Sequence, residues 1–189
     1  LDKKYSIPDG LPGLGMDTDS YYHQIFYNKL NNGWSELTNM YHGLIREVIM
    51  KYMKVEKLVY QTKPTFRIQY PDGRAITTWH YDSDENHKHP PWEINIQIAL
   101  TEMKGDLCTW IETVPGLKDY RPMEMSVGEM YFFNGNKCLH GNKINKTDKT
   151  RVSFDFRVIP YDRYSPKFEK VSATKKQKFL LGEYYDLID

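Results

Sequence analysis

Five residues of this chain have types and spacing suited to metal chemistry: His80, Asp82, His140, Arg151 and Ser153. Two histidines and one carboxylate can hold one face of an Fe(II) ion and leave the opposite face open. An arginine and a serine two positions apart on a strand can meet one carboxylate, the arginine through a two-pronged, charge-assisted contact. A bound 2-oxo acid carries such a carboxylate at its far end. The chemistry this set could perform is that of a non-haem iron oxygenase consuming 2-oxoglutarate and O2.

The elements around these residues must bring them together. His80 and Asp82 are i and i+2, so on a strand both point to one face. The run from Ala75 to Tyr81 is rich in β-branched and aromatic residues and reads as a strand. His140 follows the strand-like run Met130-Tyr131-Phe132-Phe133, with Asn134-Gly135-Asn136 as a turn between them. The polar stretch from Asn142 to Lys149 lets the chain reverse. Arg151 is then expected to open a strand antiparallel to the one ending near His140. In that strand Arg151, Ser153, Asp155 and Arg157 occupy one face, and Val152, Phe154, Phe156 and Val158 the other. A surface strand would alternate in the same way; the specific polar set argues for an interior face.

With these residues in place the chain resembles the Fe(II)/2-oxoglutarate-dependent dioxygenase superfamily. Within it, Trp79-His80-Tyr81-Asp82-Ser83-Asp84, His89-Pro90-Pro91-Trp92-Glu93-Ile94-Asn95, Phe133-Asn134-Gly135-Asn136, His140-Gly141 and the run from Thr150 to Pro160 resemble the StrG-type proteins of streptomycin biosynthesis. The likeness spans roughly residues 60 to 160. It implies Fe(II) held by His80, Asp82 and His140, and 2-oxoglutarate chelating the iron with its distal carboxylate on Arg151 and Ser153. It also implies release of succinate and CO2 with hydrogen abstraction from a substrate C–H bond. Halogenases of the superfamily lack the carboxylate ligand, so Asp82 favours hydroxylation; desaturation, ring closure and epimerisation start the same way and stay open.

The implied fold is α+β and mainly β: a double-stranded β-helix (jelly roll, cupin-like) with N-terminal helices packed on one sheet. Segments 58–62, 66–70, 75–81, 93–100, 107–113, 121–126, 129–133 and 151–159 read as short strands separated by turn signals. Ahead of them, Leu37, Met40, Tyr41, Leu44, Ile45, Val48, Ile49, Tyr52 and Met53 recur at helical spacing, with Ser35 able to cap the start. A weaker helix is expected from Asp19 to Leu30. The expected organisation is a single domain over 1–189, with an irregular arm (1–16), a helical part (17–55), the jelly-roll core (58–160) and a C-terminal tail (161–189).

Glu93, Asn95 and Gln97 alternate with Ile94, Ile96 and Ile98. If the isoleucines pack against the helices, the polar set lines the interior, where Asn95 could contact the iron-proximal carboxylate of the co-substrate. Arg67, Gln69, Asp84 and Arg157 are the candidates for meeting substrate. His87 and His89 fit an exposed loop better than a second metal site. Trp79 should face away from the metal.

The 189 residues carry a net charge of +1, with 40% hydrophobic and 27% charged residues. That composition fits a soluble globular chain with no large electrostatic footprint for nucleic acid. No apolar run is long enough to span a bilayer. The N-terminal residues lack the apolar stretch of a signal peptide, and a cytoplasmic location is expected. Cys108 and Cys138 read as buried thiols rather than a disulfide. The tail around Tyr184-Tyr185 could fold back on the barrel or meet a second subunit as a homodimer. The expected partner is a small-molecule substrate; the same chemistry on a protein side chain or nucleobase, and a non-enzymatic metal-binding module, are the alternatives.

Overall fold

The computed structural model describes residues 20–71, 79–173 and 176–189. The expected arm at 1–16 and most of the expected strand at 75–81 lie outside these residues.

Helix α1 (Tyr21–Asn31) starts where the Ser20 hydroxyl accepts the His23 backbone N–H, a side-chain N-cap. It lies over the edge strand β2 (Thr65–Gln69). Phe26 stacks on Phe66 at 4.7 Å and packs against Phe154 at 5.4 Å. The Phe66 backbone N–H donates to the Tyr27 hydroxyl, and the His23 ring bonds the Phe66 carbonyl. The helix thus satisfies backbone groups that an open sheet edge would expose.

Helix α2 (Ser35–Leu44) runs into a π-helical segment (Ile45–Met50) and a last turn (Lys51–Met53), closed by left-handed Lys54. The expected Ser35 cap is not formed: Trp34 holds the cap position without a side-chain bond, and the Ser35 hydroxyl meets Glu36. The helical stripe is also redrawn. Tyr41, Ile45, Ile49 and Met50 are buried, whereas Met40, Val48 and Tyr52 are exposed. A π turn holds an extra residue, so the apolar face advances toward Met50 and away from Val48 and Tyr52.

Two antiparallel sheets follow. The larger runs β6 (Met130–Phe133), β3 (Ile94–Ala99), β8 (Arg151–Pro160), β1 (Leu58–Gln61), β9 (Tyr185–Ile188), with β2 also paired to β8. The smaller runs β5 (Arg121–Pro122), β4 (Thr109–Ile111), β7 (His140–Asn142). The ten-residue β8 organises the large sheet: Arg151 to Asp155 pair with β2, Val158 to Pro160 with β1, and Ser153 to Val158 with β3. The helices cover one face of this sheet, where Tyr41, Ile45 and Ile49 meet Leu58, Tyr60, Ile96, Phe156 and Val158. The isoleucines of β3 therefore face the helices, and Glu93, Asn95 and Gln97 are buried on the opposite side. A second core of Ala99, Met103, Cys108, Ile111, Met123, Met125 and Cys138 joins the small sheet to β3. Both cysteines are free and buried within it.

Two expectations change, and the fold-back expected as one alternative for the tail is found. Arg151 does not open a hairpin partner of the His140 strand: β7 pairs with β4, in the other sheet. Strand 121–126 shrinks to Arg121–Pro122 plus an isolated Met103–Met125 bridge. The tail folds back as β9, the edge strand beside β1, with Phe179 and Tyr185 packed on Val59 and Ile159.

Candidate metal centre

His80, Asp82 and His140 come together. One ligand atom from each lies within 4.8 Å of the others. The two imidazoles arrive by pairing: His80 and His140 form an isolated antiparallel bridge, their backbones exchanging N–H···O bonds of 2.9 and 3.1 Å. Asp82 arrives by a backbone bond from its N–H to the Gly135 carbonyl. The His140 Nδ1 bonds the Cys138 carbonyl at 3.0 Å, which leaves Nε2 as the nitrogen that could hold a metal. Cys138 contributes that carbonyl, and its thiol belongs to the core.

The Asp82 carboxylate is divided between two tasks. Its Oδ2 accepts from Asn95 Nδ2 at 2.6 Å and from Arg157 Nε and Nη2 at 3.1 and 2.9 Å. Its Oδ1 is buried without a hydrogen-bond partner, 3.4 Å from His80 Nε2 and 3.7 Å from His140 Nε2. A buried carboxylate oxygen without a donor is costly unless a cation completes it. The donor set of two imidazoles and one carboxylate oxygen fits Fe(II). Burial alone would raise the Asp82 pKa, but Arg157 and His80 hold the carboxyl well below its usual range. Burial pushes His140 down to about 4 despite Asp82. At neutral pH Asp82 is thus ionised and His140 neutral, the states that a metal ion would require.

The second half of the site lies on the same face of β8. Arg151 and Ser153 are fully buried, which excludes the surface-strand alternative. Arg151 Nη1 reaches Thr109 Oγ1 on the small sheet at 3.4 Å, while its Nε and Nη2 and the Ser153 hydroxyl have no partner. Burial and the nearby Arg67 lower the Arg151 pKa to about 10, so the guanidinium stays charged at neutral pH. Arg151 and Arg157 are six residues apart, about 20 Å along a strand, with Ser153 and Asp155 between them on one face. Gln69 and Gln97 each present a buried amide oxygen without a partner.

The remaining candidates are engaged inside the protein. Arg67 pairs with Asp155 through bonds of 2.5 and 3.2 Å, and Gln69 donates to the Lys143 carbonyl. Asp84 accepts the backbone N–H groups of Asn86 and His87 and the His87 ring. Asn95 bridges Asp82 and the Gly135 N–H. The loop after the metal motif is less solvated than expected. His87 stacks on His80 at 4.4 Å, and the His89 side chain is only 10% exposed, 2.9 Å from Glu93 and against Phe179. Trp79 faces away, edge-on to Tyr120.

No family model matches the chain. A curated relative does: the streptomycin biosynthesis protein StrG of Streptomyces griseus is 32% identical over 172 residues, covering 91% of this chain and 78% of StrG. The chain belongs to the StrG family. Among solved structures it is similar to EvdMO1, with 20% identity, a TM-score of 0.41 and coverage of 53% of this chain and 27% of that one. It is also similar to the non-haem α-ketoglutarate-dependent carbocyclase SnoK from nogalamycin biosynthesis, with 14% identity, a TM-score of 0.49 and coverage of 75% and 66%. The chain spans less than two thirds of the length of either solved protein.

For this StrG-family chain, sequence reasoning named Asn95 and Arg157 but missed that they hold Asp82. Gly135 reads as an ordinary turn glycine. In the structure a Cβ there would sit 2.8 Å from Asp82 Oδ2 and 2.9 Å from Asn95 Nδ2. Both of those atoms are pinned, so neither can yield cheaply. Gly135→Ala is therefore expected to displace Asp82 and weaken divalent-metal binding at least tenfold, with a stability loss of about 1–3 kcal/mol. Calorimetric titration with Mn(II) checks it; an unchanged affinity would mean that the carboxylate tolerates the shift. The pairings of Glu93, Tyr184 and Tyr185 were also out of reach, because their partners lie 27 to 123 residues away in the chain (Tyr185 bonds Glu93, Tyr184 bonds Arg157 and Gln61).

Proposed function

We propose that this StrG-family chain is a non-haem Fe(II)- and 2-oxoglutarate-dependent oxygenase. In this reading it hydroxylates an unactivated C–H bond of a small molecule, releases succinate and CO2, and is built as one jelly-roll domain over residues 1–189. The observation that carries the proposal is the set of unmet polar groups on one interior face. Asp82 Oδ1 looks toward two imidazole Nε2 atoms, and Arg151 and Ser153 hold unpartnered donors deep between the sheets. A metal-binding module explains the first and leaves the second without a task.

Bound Fe(II), with 2-oxoglutarate and O2, would supply the oxidising chemistry. The chain's own residues do the rest. His80, Asp82 and His140 would hold one face of the metal. Arg151 would take the distal carboxylate of 2-oxoglutarate through its free Nε and Nη2, with the Ser153 hydroxyl donating alongside. Asn95 fixes Asp82 with one amide N–H; its second is the group left for the proximal carboxylate. The Gln69 and Gln97 oxygens are free to accept from bound molecules. Arg67, Asp84 and Arg157 already serve other residues, so their part in substrate binding would be indirect. Burial of the set keeps water from the reacting centre. The presence of Asp82, rather than a small residue, favours hydroxylation. The relative's role in streptomycin biosynthesis supports a small-molecule substrate in tailoring metabolism. Among the described residues no helix is long and apolar enough to cross a membrane.

The test is anaerobic addition of Fe(II) with and without 2-oxoglutarate. A visible charge-transfer band that needs both is expected. A folded protein that binds Fe(II) and gives no band would favour the metal-binding module.

A further inference from the structure

The Asp82 carboxylate is held from outside the ligand set, and the hold reaches the C-terminal end of the described chain. Arg157 Nε and Nη2 both donate to Asp82 Oδ2, and Nη1 donates to the Tyr184 hydroxyl at 3.3 Å. Tyr184 in turn donates to Gln61 Oε1 at 2.8 Å, and its backbone carbonyl accepts the Thr62 N–H at 3.0 Å. Next to it, the Tyr185 hydroxyl donates to Glu93 Oε1, whose other oxygen lies 3.5 Å from Arg157 Nε. His89 closes on Glu93 from the other side. Asp82 and Glu93 are fully buried and Arg157 is 9% exposed at its side chain.

Resting on the reading of His80, Asp82 and His140 as metal ligands, we propose that Arg157 is a positioning residue that makes Asp82 a one-oxygen ligand. We further propose that Tyr184, carried by the C-terminal segment, holds Arg157 to that task. A free carboxylate has two equivalent oxygens and can bind a metal through either or both. Here three N–H groups occupy Oδ2, two of them from the rigid fork of a guanidinium, and Oδ1 alone faces the imidazoles. One oxygen fewer on the metal leaves one position more for co-substrate and O2.

Simple charge neutralisation is the competing explanation, and it makes a different forecast. A lysine would neutralise Asp82 nearly as well but cannot reproduce the planar fork. The contest is decided with Co(II) as probe, by titration of the full chain and by its visible d–d bands, which weaken as coordination number rises. Arg157→Lys should bind Co(II) at least tenfold more weakly and show weaker bands, in the range seen when partners of metal ligands are removed. Tyr184→Phe, a conservative change that removes one hydroxyl, should move affinity in the same direction by about threefold and the bands likewise. Circular dichroism and thermal melts establish that each variant is folded; should Arg157→Lys fail to fold, Tyr184→Phe decides alone. Folded variants with wild-type affinity and bands would overturn the positioning role. An effect in Arg157→Lys with none in Tyr184→Phe would overturn the part given to the C-terminal segment. Wild-type protein that binds no Co(II) would instead overturn the metal site itself, and this inference with it.

Discussion

An Arg151→Met protein should be more stable than the wild type without ligand, yet bind 2-oxoglutarate at least about thirtyfold more weakly. The two effects share one cause. Arg151 is fully buried, its best bond is a 3.4 Å contact to Thr109, and its Nε and Nη2 have no acceptor. An unpaired charge in the interior costs several kcal/mol. Methionine fills similar volume without that cost, so the ligand-free protein should gain about 1–3 kcal/mol. Among the described residues, the same substitution removes the only guanidinium shown with unpartnered donors on this face. Losing one partner of a buried charged pair costs about 2–5 kcal/mol in binding, or roughly thirty- to several-thousandfold. Urea unfolding of the metal-free protein gives the first number. Titration of the Mn(II)-loaded protein with 2-oxoglutarate gives the second. Loss of stability with unchanged affinity would mean that Arg151 is an ordinary core residue and that the carboxylate binds elsewhere.

Much of this site was legible in the sequence because strand periodicity is local. Alternation alone put Arg151 and Ser153 on one face and Phe154 and Phe156 on the other; burial in β8 alternates from Arg151 to Phe154, after which both faces are covered. The same rule separated Ile96, which meets the helices, from Asn95, which meets Asp82. Which strands become neighbours was not local. The polar stretch after His140 looked like a hairpin turn, but the pairing preferences of Asn142 and Arg151 sent them to different sheets. The helix stripe failed at Val48 and Tyr52 because one π turn shifts the face, and no residue in the sequence announces it. The hold on Asp82 was hidden for a further reason. Arg157 stood among the substrate candidates, and only the arrival of Asp82, 75 residues earlier, and of Tyr184, 27 residues later, shows its internal pairing.

Asp82→Ala should do more than empty the metal site. It takes the acceptor from Arg157 Nε and Nη2 and from Asn95 Nδ2 at once. Breaking a buried ion pair from one side costs about 3–5 kcal/mol, because the remaining charge stays desolvated. Glu93 lies 3.5 Å from Arg157 Nε and can compensate in part, which places the expected loss near the lower end of that range. Metal binding should fall below detection, since two imidazoles remain without an anionic ligand. The double variant Asp82→Ala/Arg157→Met separates the two effects. It should recover most of the lost stability, because no buried charge is then stranded, and none of the metal affinity. The pair also sets a pH signature. Arg157 holds the folded-state pKa of Asp82 well below its usual value. Its stabilisation is therefore complete above the ordinary carboxylate range near 4 and is lost as pH falls through the lower folded value. Below that range the wild type should converge on Asp82→Ala in urea unfolding, whereas at pH 7 the two should differ by the full amount. Equal stability at pH 7 would show that Arg157 finds its compensation elsewhere, and would leave Asp82 as a ligand with no structural role.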